Sequence, residues 1–81
     1  MILHKFSAAW CQPCKQLSKT LEQVLPEFPD VQLVEVDVDK APELASHHNV
    51  RQLPTLVMGD YRLTGNASTG HVREFLARAS K

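Results

Sequence analysis

The stretch AWCQPCK, residues 9–15, holds both cysteines and the only tryptophan of this 81-residue chain. It follows a short apolar run at residues 2–6, which is typical of a strand. Directly after it, Leu17, Leu21, Val24 and Leu25 recur at the spacing of one helical face. The stretch is therefore predicted to join a strand to a helix, with Cys11 at the helix start and Cys14 one turn further on.

The rest of the chain predicts alternating elements. Residues 31–38 are rich in β-branched residues and predict a strand. Asp39 is expected to cap a short helix that includes Pro42 and stops near Asn49. Residues 55–58 and 61–64 flank Gly59-Asp60, which predicts a tight hairpin. A last amphipathic helix is expected after a cap at Ser68 or Thr69.

The resulting order, β-α-β-α-β-β-α, predicts one α/β domain over residues 1–81. A strand, helix, strand opening favours a right-handed crossover and a parallel pair, and the hairpin adds antiparallel strands. We therefore expect a four-stranded mixed sheet with three helices packed against it.

Composition narrows the function classes. Nine basic and nine acidic side chains cancel, which gives no reason to expect nucleic acid or an anionic membrane as a partner. No apolar run approaches the ~20 residues of a transmembrane helix, and the start lacks the pattern of a signal peptide. A cytoplasmic protein is expected. In a reducing compartment, a Cys-x-x-Cys pair points to metal or redox chemistry rather than to a permanent structural disulfide.

The position of the two cysteines favours redox chemistry. Side chains three residues apart on a helix are neighbours, so the two sulfurs can bond. Unpaired N–H groups and the helix dipole favour a thiolate at Cys11, which makes it the expected nucleophile. Cys14, more shielded inside the first turn, is the expected resolving thiol. Pro13 suits a first helical turn and stiffens the pair.

The alternatives are a zinc site and an inert buried pair. The chain has only one Cys-x-x-Cys, and adjacent His47 and His48 do not match the spacing of zinc-binding histidines. An inert pair fits poorly at a strand-to-helix junction. We expect no metal and no cofactor beyond the redox-active Cys11–Cys14 disulfide.

Four separated motifs resemble those of the thioredoxin family. FSAAWCQPCK is similar to the family's active-site segment, with Gln12 in place of a glycine. VEVDVD is similar to the strand before the family's third helix. NVRQLPT resembles the family's loop with a cis-proline, and LTGNAS resembles its segment before the last helix. The resemblance runs over nearly the whole chain.

The resemblance implies a protein-disulfide reductase. Cys11 would attack a substrate disulfide and Cys14 would resolve the mixed disulfide. Pro54 would be cis and lie opposite the dithiol. The implied substrate-binding residues are Trp10, Gln12, Leu53, Pro54 and Gly65, with Pro13 beside them. For Trp10 the alternative is simple core packing, and for Pro54 an ordinary turn. The implied partners are disulfide-containing proteins, ribonucleotide reductase among them, with thioredoxin reductase as electron donor, and the protein would be a monomer.

Two departures from the family pattern stand out. The chain begins at what would be the family's second strand, so the first strand and helix are expected to be absent. Lys5 occupies the position of the family's buried aspartate, and Glu35 stands where the family commonly has lysine. Our hypothesis is a reversed ion pair beneath the dithiol, with Lys5 favouring the thiolate and Glu35 accepting the proton of Cys14. The alternative is that Lys5 extends to solvent at an exposed sheet edge.

Two other functions stay open. A glutaredoxin-like reductase would use glutathione, but Gln12, the Leu53-Pro54-Thr55 loop and the lone Gly65 fit that family less well. A binding subunit would use the fold and not the thiols, and would keep its role when both cysteines are replaced by serine.

Overall fold

The computed structural model describes residues 1–80, and their elements follow the predicted order. The elements are strand β1 (Ile2–Ser7), helix α1 (Gln12–Val24) with a 3₁₀ turn (Leu25–Glu27), β2 (Gln32–Asp37), α2 (Pro42–His47), β3 (Thr55–Met58), β4 (Tyr61–Thr64) and α3 (Thr69–Ala79).

The four strands form one mixed sheet in the order β2-β1-β3-β4. β1 and β2 are parallel, with Lys5 opposite Glu35. β1 pairs antiparallel with β3, and β3 pairs antiparallel with β4. The predicted fold class is confirmed. Because β1 has a strand on each side, the loop that follows its carboxyl end lies near the middle of that end of the sheet.

Side chains alternate between the two faces of the sheet, and each face has its own core. The larger core joins the sheet to α1 and α3 through buried aliphatic residues, including Leu3, Leu17, Leu56 and Leu76. The smaller core on the other face centres on Phe6, with Ala45 of α2 packed against it. None of the helices in residues 1–80 has the length and apolar character needed to span a bilayer.

The start of α2 differs from the prediction. Its N-cap is Ala41, which offers no side-chain hydrogen bond, and Asp39 does not cap the helix. The carboxylate of Asp39 instead accepts a hydrogen bond from Trp10. An N-cap directly precedes the first helical residue, and Asp39 lies too far before Pro42 to fill that role.

The start of α3 follows the expectation. Ser68 is the N-cap of α3, and its Oγ accepts the His71 N–H at 3.2 Å. Helix α1 ends at Val24, and Pro26 lies in the 3₁₀ turn that follows. Proline cannot donate the backbone bond that would extend the helix.

Candidate active site

Cys11 and Cys14 are joined by a disulfide at the junction of β1 and α1, with their Cα atoms 5.3 Å apart. Cys11 is the N-cap of α1, and its Sγ accepts the Cys14 N–H at 3.2 Å. The Cys11 N–H in turn donates to the Ala8 carbonyl at 3.1 Å. After reduction, the helix N–H groups and dipole favour negative charge on Cys11 Sγ. The local geometry therefore suits Cys11 as a nucleophile.

The two cysteine residues differ less in exposure than the sequence suggested. Cys11 is 5% exposed and Cys14 is 2% exposed, so both are buried. They differ in the pocket that each residue lines: Cys11 lines one pocket and Cys14 lines another. This separation gives the two thiols different chemical surroundings.

The first pocket, which we call the groove, has a volume of about 650 Å³ and mostly apolar walls. Its lining comes from the start of α1 and the two residues before it, from the residue after β2, and from α2 and the loop after it. Its lining residues are Trp10, Cys11, Gln12, Pro13, Val38, Ala45, Val50, Arg51 and Leu53. An apolar groove that opens on a reactive sulfur can hold a peptide chain beside it.

The loop at residues 52–54 lies beside the disulfide. The Leu53–Pro54 peptide bond is cis. Leu53 packs against the buried cluster of Ala8, Cys11 and Cys14. Pro54 is buried, and its carbonyl accepts the Gly65 N–H at 2.8 Å. Of the predicted contact residues, Leu53 lines the groove, while Pro54 and Gly65 are not among its lining residues.

Trp10 lies at the surface beside the disulfide. It is 68% exposed, so the core-packing alternative is wrong. Its Nε1–H donates to Asp39 Oδ2 at 2.9 Å, and the Asp39 N–H donates to Asp37 Oδ1 at 2.9 Å. The indole is thus held in place by the turn after β2. Sequence reasoning missed this role of Asp39, although an aspartate directly after a strand was visible.

The second pocket, which we call the polar cavity, has a volume of about 390 Å³ and lies against Cys14. Lys5 is 2% exposed. Its Nζ contacts Ser18 Oγ and lies 3.4 Å from Glu35 Oε1. The ion pair of the hypothesis is present, whereas a lysine extended to solvent is not. The lining residues are Lys5, Ser7, Ala8, Ala9, Cys14, Lys15, Ser18, Glu35 and Asp37.

Ser18 was not singled out from the sequence. It lies four residues after Cys14, and its Oγ donates to the Cys14 carbonyl at 3.2 Å. A serine between the apolar positions of a helix carries no pattern of its own. Only the partners that the sheet brings to it distinguish this serine from the exposed ones.

In this chain the central strand β1 of a mixed sheet leads into a helix whose N-cap, Cys11, is bonded to Cys14. Comparison with known proteins gives the family. The family model described as Thioredoxin matches residues 1–78, and the chain belongs to the thioredoxin family.

Curated relatives agree with this assignment. The chain is 42% identical over 55 residues to a thioredoxin of Ophiophagus hannah, covering 68% of this chain and 52% of that protein. It is 40% identical over 58 residues to a thioredoxin of Chlamydia trachomatis, covering 72% of this chain and 57% of that protein. The chain thus spans a little over half the length of these relatives.

Solved structures are similar over a larger share. Mitochondrial thioredoxin 3 of Saccharomyces cerevisiae, in its oxidised form, has a TM-score of 0.84 at 30% identity, covering 94% of this chain and 76% of that one. A thioredoxin of Fasciola hepatica has a TM-score of 0.84 at 32% identity, covering 96% of this chain and 79% of that one.

Proposed function

We propose that this protein reduces disulfide bonds in other proteins through the Cys11–Cys14 dithiol. The observation that carries this proposal is the placement of Cys11, which caps a helix and lines an apolar groove while bonded to Cys14. Membership of the thioredoxin family supports the same reaction.

The exchange has two steps. The Cys11 thiolate attacks one sulfur of the substrate disulfide, and the other substrate sulfur leaves as a thiolate. The Cys14 thiolate then attacks Cys11 Sγ, forming the Cys11–Cys14 bond and releasing the second substrate sulfur. Two electrons pass to the substrate, and its two thiolates take up the protons that the dithiol gave up.

Substrate recognition is assigned to the groove. Trp10, Gln12, Pro13 and Leu53 are proposed to contact an extended peptide on either side of its cysteine, with apolar side chains favoured by the apolar walls. Pro54 and Gly65 are proposed to support the groove indirectly, because the Gly65 N–H donates a hydrogen bond to the Pro54 carbonyl.

The family also suggests partners. We propose a thioredoxin reductase as the electron donor and ribonucleotide reductase as one client protein. The protein is proposed to act in the cytoplasm as a monomer, without a metal or other cofactor.

The direct test is the reduction of insulin disulfides with dithiothreitol as the electron source. The precipitation of the reduced insulin measures the reaction. We expect Cys11→Ser to abolish catalysis. Cys14→Ser should instead stop after the first step and accumulate a mixed disulfide with the substrate, visible by mass spectrometry. Unchanged insulin reduction by the double serine variant would overturn the proposal and favour a binding role.

A second measurement separates the two classes of reductant. Equilibration of the dithiol with defined glutathione ratios should give a reduction potential near about −270 mV for a thioredoxin-type reductant. A potential near about −200 mV would instead support the glutathione-dependent alternative.

A further inference from the structure

The polar cavity places a buried positive charge behind the resolving cysteine. Burying an ammonium group is costly unless charged or polar partners surround it. Lys5 is 2% exposed, while the side chain of its carboxylate partner Glu35 is 58% exposed. The ammonium group of this pair is therefore buried, whereas its carboxylate lies at the mouth of the cavity. Lys5 and Cys14 line the same cavity, and the field of a cation is screened less in a buried position than in water.

Ser18 connects this charge to the turn that carries Cys14. Its Oγ accepts a hydrogen bond from Lys5 Nζ and donates one to the Cys14 carbonyl. The ammonium group is thus two hydrogen bonds from the backbone of Cys14. The serine fixes where Lys5 points within the cavity.

The other charged groups on the cavity come from two elements. Helix α1 contributes Lys15, and β2 contributes Glu35 and Asp37. β3 contributes no charge here, because the residue opposite Lys5 is Leu56. Of the charged side chains that line the cavity, Lys5 alone is buried, whereas Lys15 is exposed.

We propose that Lys5 is a positioning residue that stabilises the Cys14 thiolate in the second exchange step, held by Ser18, with Glu35 as the proton acceptor at the cavity mouth. This inference rests on the proposed dithiol reaction. The Cys14 thiol gives its proton to the Glu35 carboxylate, through water in the cavity, and from there it passes to solvent. The Cys14 thiolate attacks Cys11 Sγ, the Cys11–Cys14 bond forms, and the substrate sulfur leaves with the electron pair of the broken bond.

The first test measures Cys14 without any substrate. In a Cys11→Ser background, the ultraviolet absorbance of the thiolate is recorded against pH. Lys5→Met, of similar length and apolar, should move the midpoint upward by about one pH unit, which is about tenfold less thiolate at a fixed pH below both midpoints. The matched control is Lys19→Met on the exposed side of α1, which should leave the midpoint unchanged. An unchanged midpoint in a folded Lys5→Met protein would contradict the role of Lys5.

The second test measures the resolving step itself. Ellman's reagent forms a mixed disulfide at Cys11, and Cys14 then releases the second thionitrobenzoate, which stopped-flow absorbance follows across pH. Glu35→Gln should slow this release by about tenfold or more near neutral pH and flatten its pH dependence. Glu22→Gln, an exposed substitution elsewhere on α1, serves as the control. A pH profile identical to the wild type would overturn the role of Glu35.

The two tests also separate this inference from the proposed function. If the wild-type protein fails to reduce insulin but the Cys14 midpoint still moves in Lys5→Met, the proposed function fails and the electrostatic role of Lys5 stands. If insulin reduction succeeds and neither variant differs from its control, the further inference fails alone.

Discussion

His48, the residue that follows α2, lies among aromatic and cationic neighbours. Its ring centroid is 5.4 Å from that of Phe6, 5.6 Å from that of His4 and 5.1 Å from that of His47. Arg62 of β4 donates hydrogen bonds to the backbone carbonyls of His48 and Asn49. Burial, followed by repulsion from His47, His4 and Arg62, holds the pKa of His48 below its usual 6.5.

This lowered pKa predicts a pH-dependent stability. At a pH between the folded and unfolded pKa values of His48, its imidazole is protonated in the unfolded chain and neutral in the folded protein. The contribution of neutral His48 is therefore complete above about pH 6.5 and is lost as the pH falls through the lower folded pKa. As the pH falls from about 7.5 to about 5, we expect the free energy of unfolding to decrease less in His48→Gln than in the wild type.

Urea unfolding at each pH measures this difference. The exposed His71→Gln on α3 is the control for loss of a histidine outside this cluster. Parallel curves for wild type and His48→Gln would contradict the prediction, whatever the offset between them.

Residues whose role depends on a distant partner were the ones that the sequence could not predict. The cysteines follow from their local spacing, and the position of Lys5 was noticed through the family pattern. Ser18 and Asp39 act through Lys5 and Trp10, which lie far away in the chain. No local pattern marks such a pair, because its members come together only in the folded protein.

Among the elements, α3 depends most clearly on a local signal at its start. The backbone of Ser68 is extended, and its Oγ accepts the His71 N–H at 3.2 Å. This bond satisfies one of the N–H groups that a helix start leaves unpaired. The cap fixes the point at which the chain turns from the loop after β4 into α3.

Loss of this cap should destabilise the whole fold, because α3 covers the larger core. We expect Ser68→Ala to lower the free energy of unfolding by about 1 kcal/mol, measured by urea denaturation. Ser68→Asp keeps an acceptor at the same place and should retain most of the stability. Equal losses in both variants would show that the hydrogen bond is not the cause.

The hairpin and α2 show which element boundaries can be predicted from the sequence. Gly59 has a φ of +60°, and the sequence Gly59-Asp60 marked the turn between β3 and β4 with the observed strand bounds. Helix α2 carries no capping side chain, and its end is set by Asn49 at a φ of +55°. The turn and the end of α2 thus carry local signals, whereas the start of α2 does not, because its N-cap Ala41 has no capping side chain.

At the scale of the whole molecule, the two faces of the sheet are packed unequally. Helices α1 and α3 bury a continuous aliphatic core that includes Leu17, which is fully buried one turn after Cys14. On the other face the six-residue α2 covers a smaller core, and Leu44 of this helix is 44% exposed. The disulfide therefore sits at the end of a helix that is anchored by the larger core.

This asymmetry predicts different costs for the same substitution. Leu17→Ala should lower the free energy of unfolding by about 2–5 kcal/mol, because it removes buried methyl groups and leaves a cavity. A domain of this size has a total stability of about 4–12 kcal/mol, so the loss is a large share of it. Leu44→Ala, the matched control, should change stability by about 0.5 kcal/mol or less. Urea denaturation of the oxidised proteins measures both, and a cost for Leu44→Ala equal to that of Leu17→Ala would mean that α2 covers the second face more tightly than its exposure indicates.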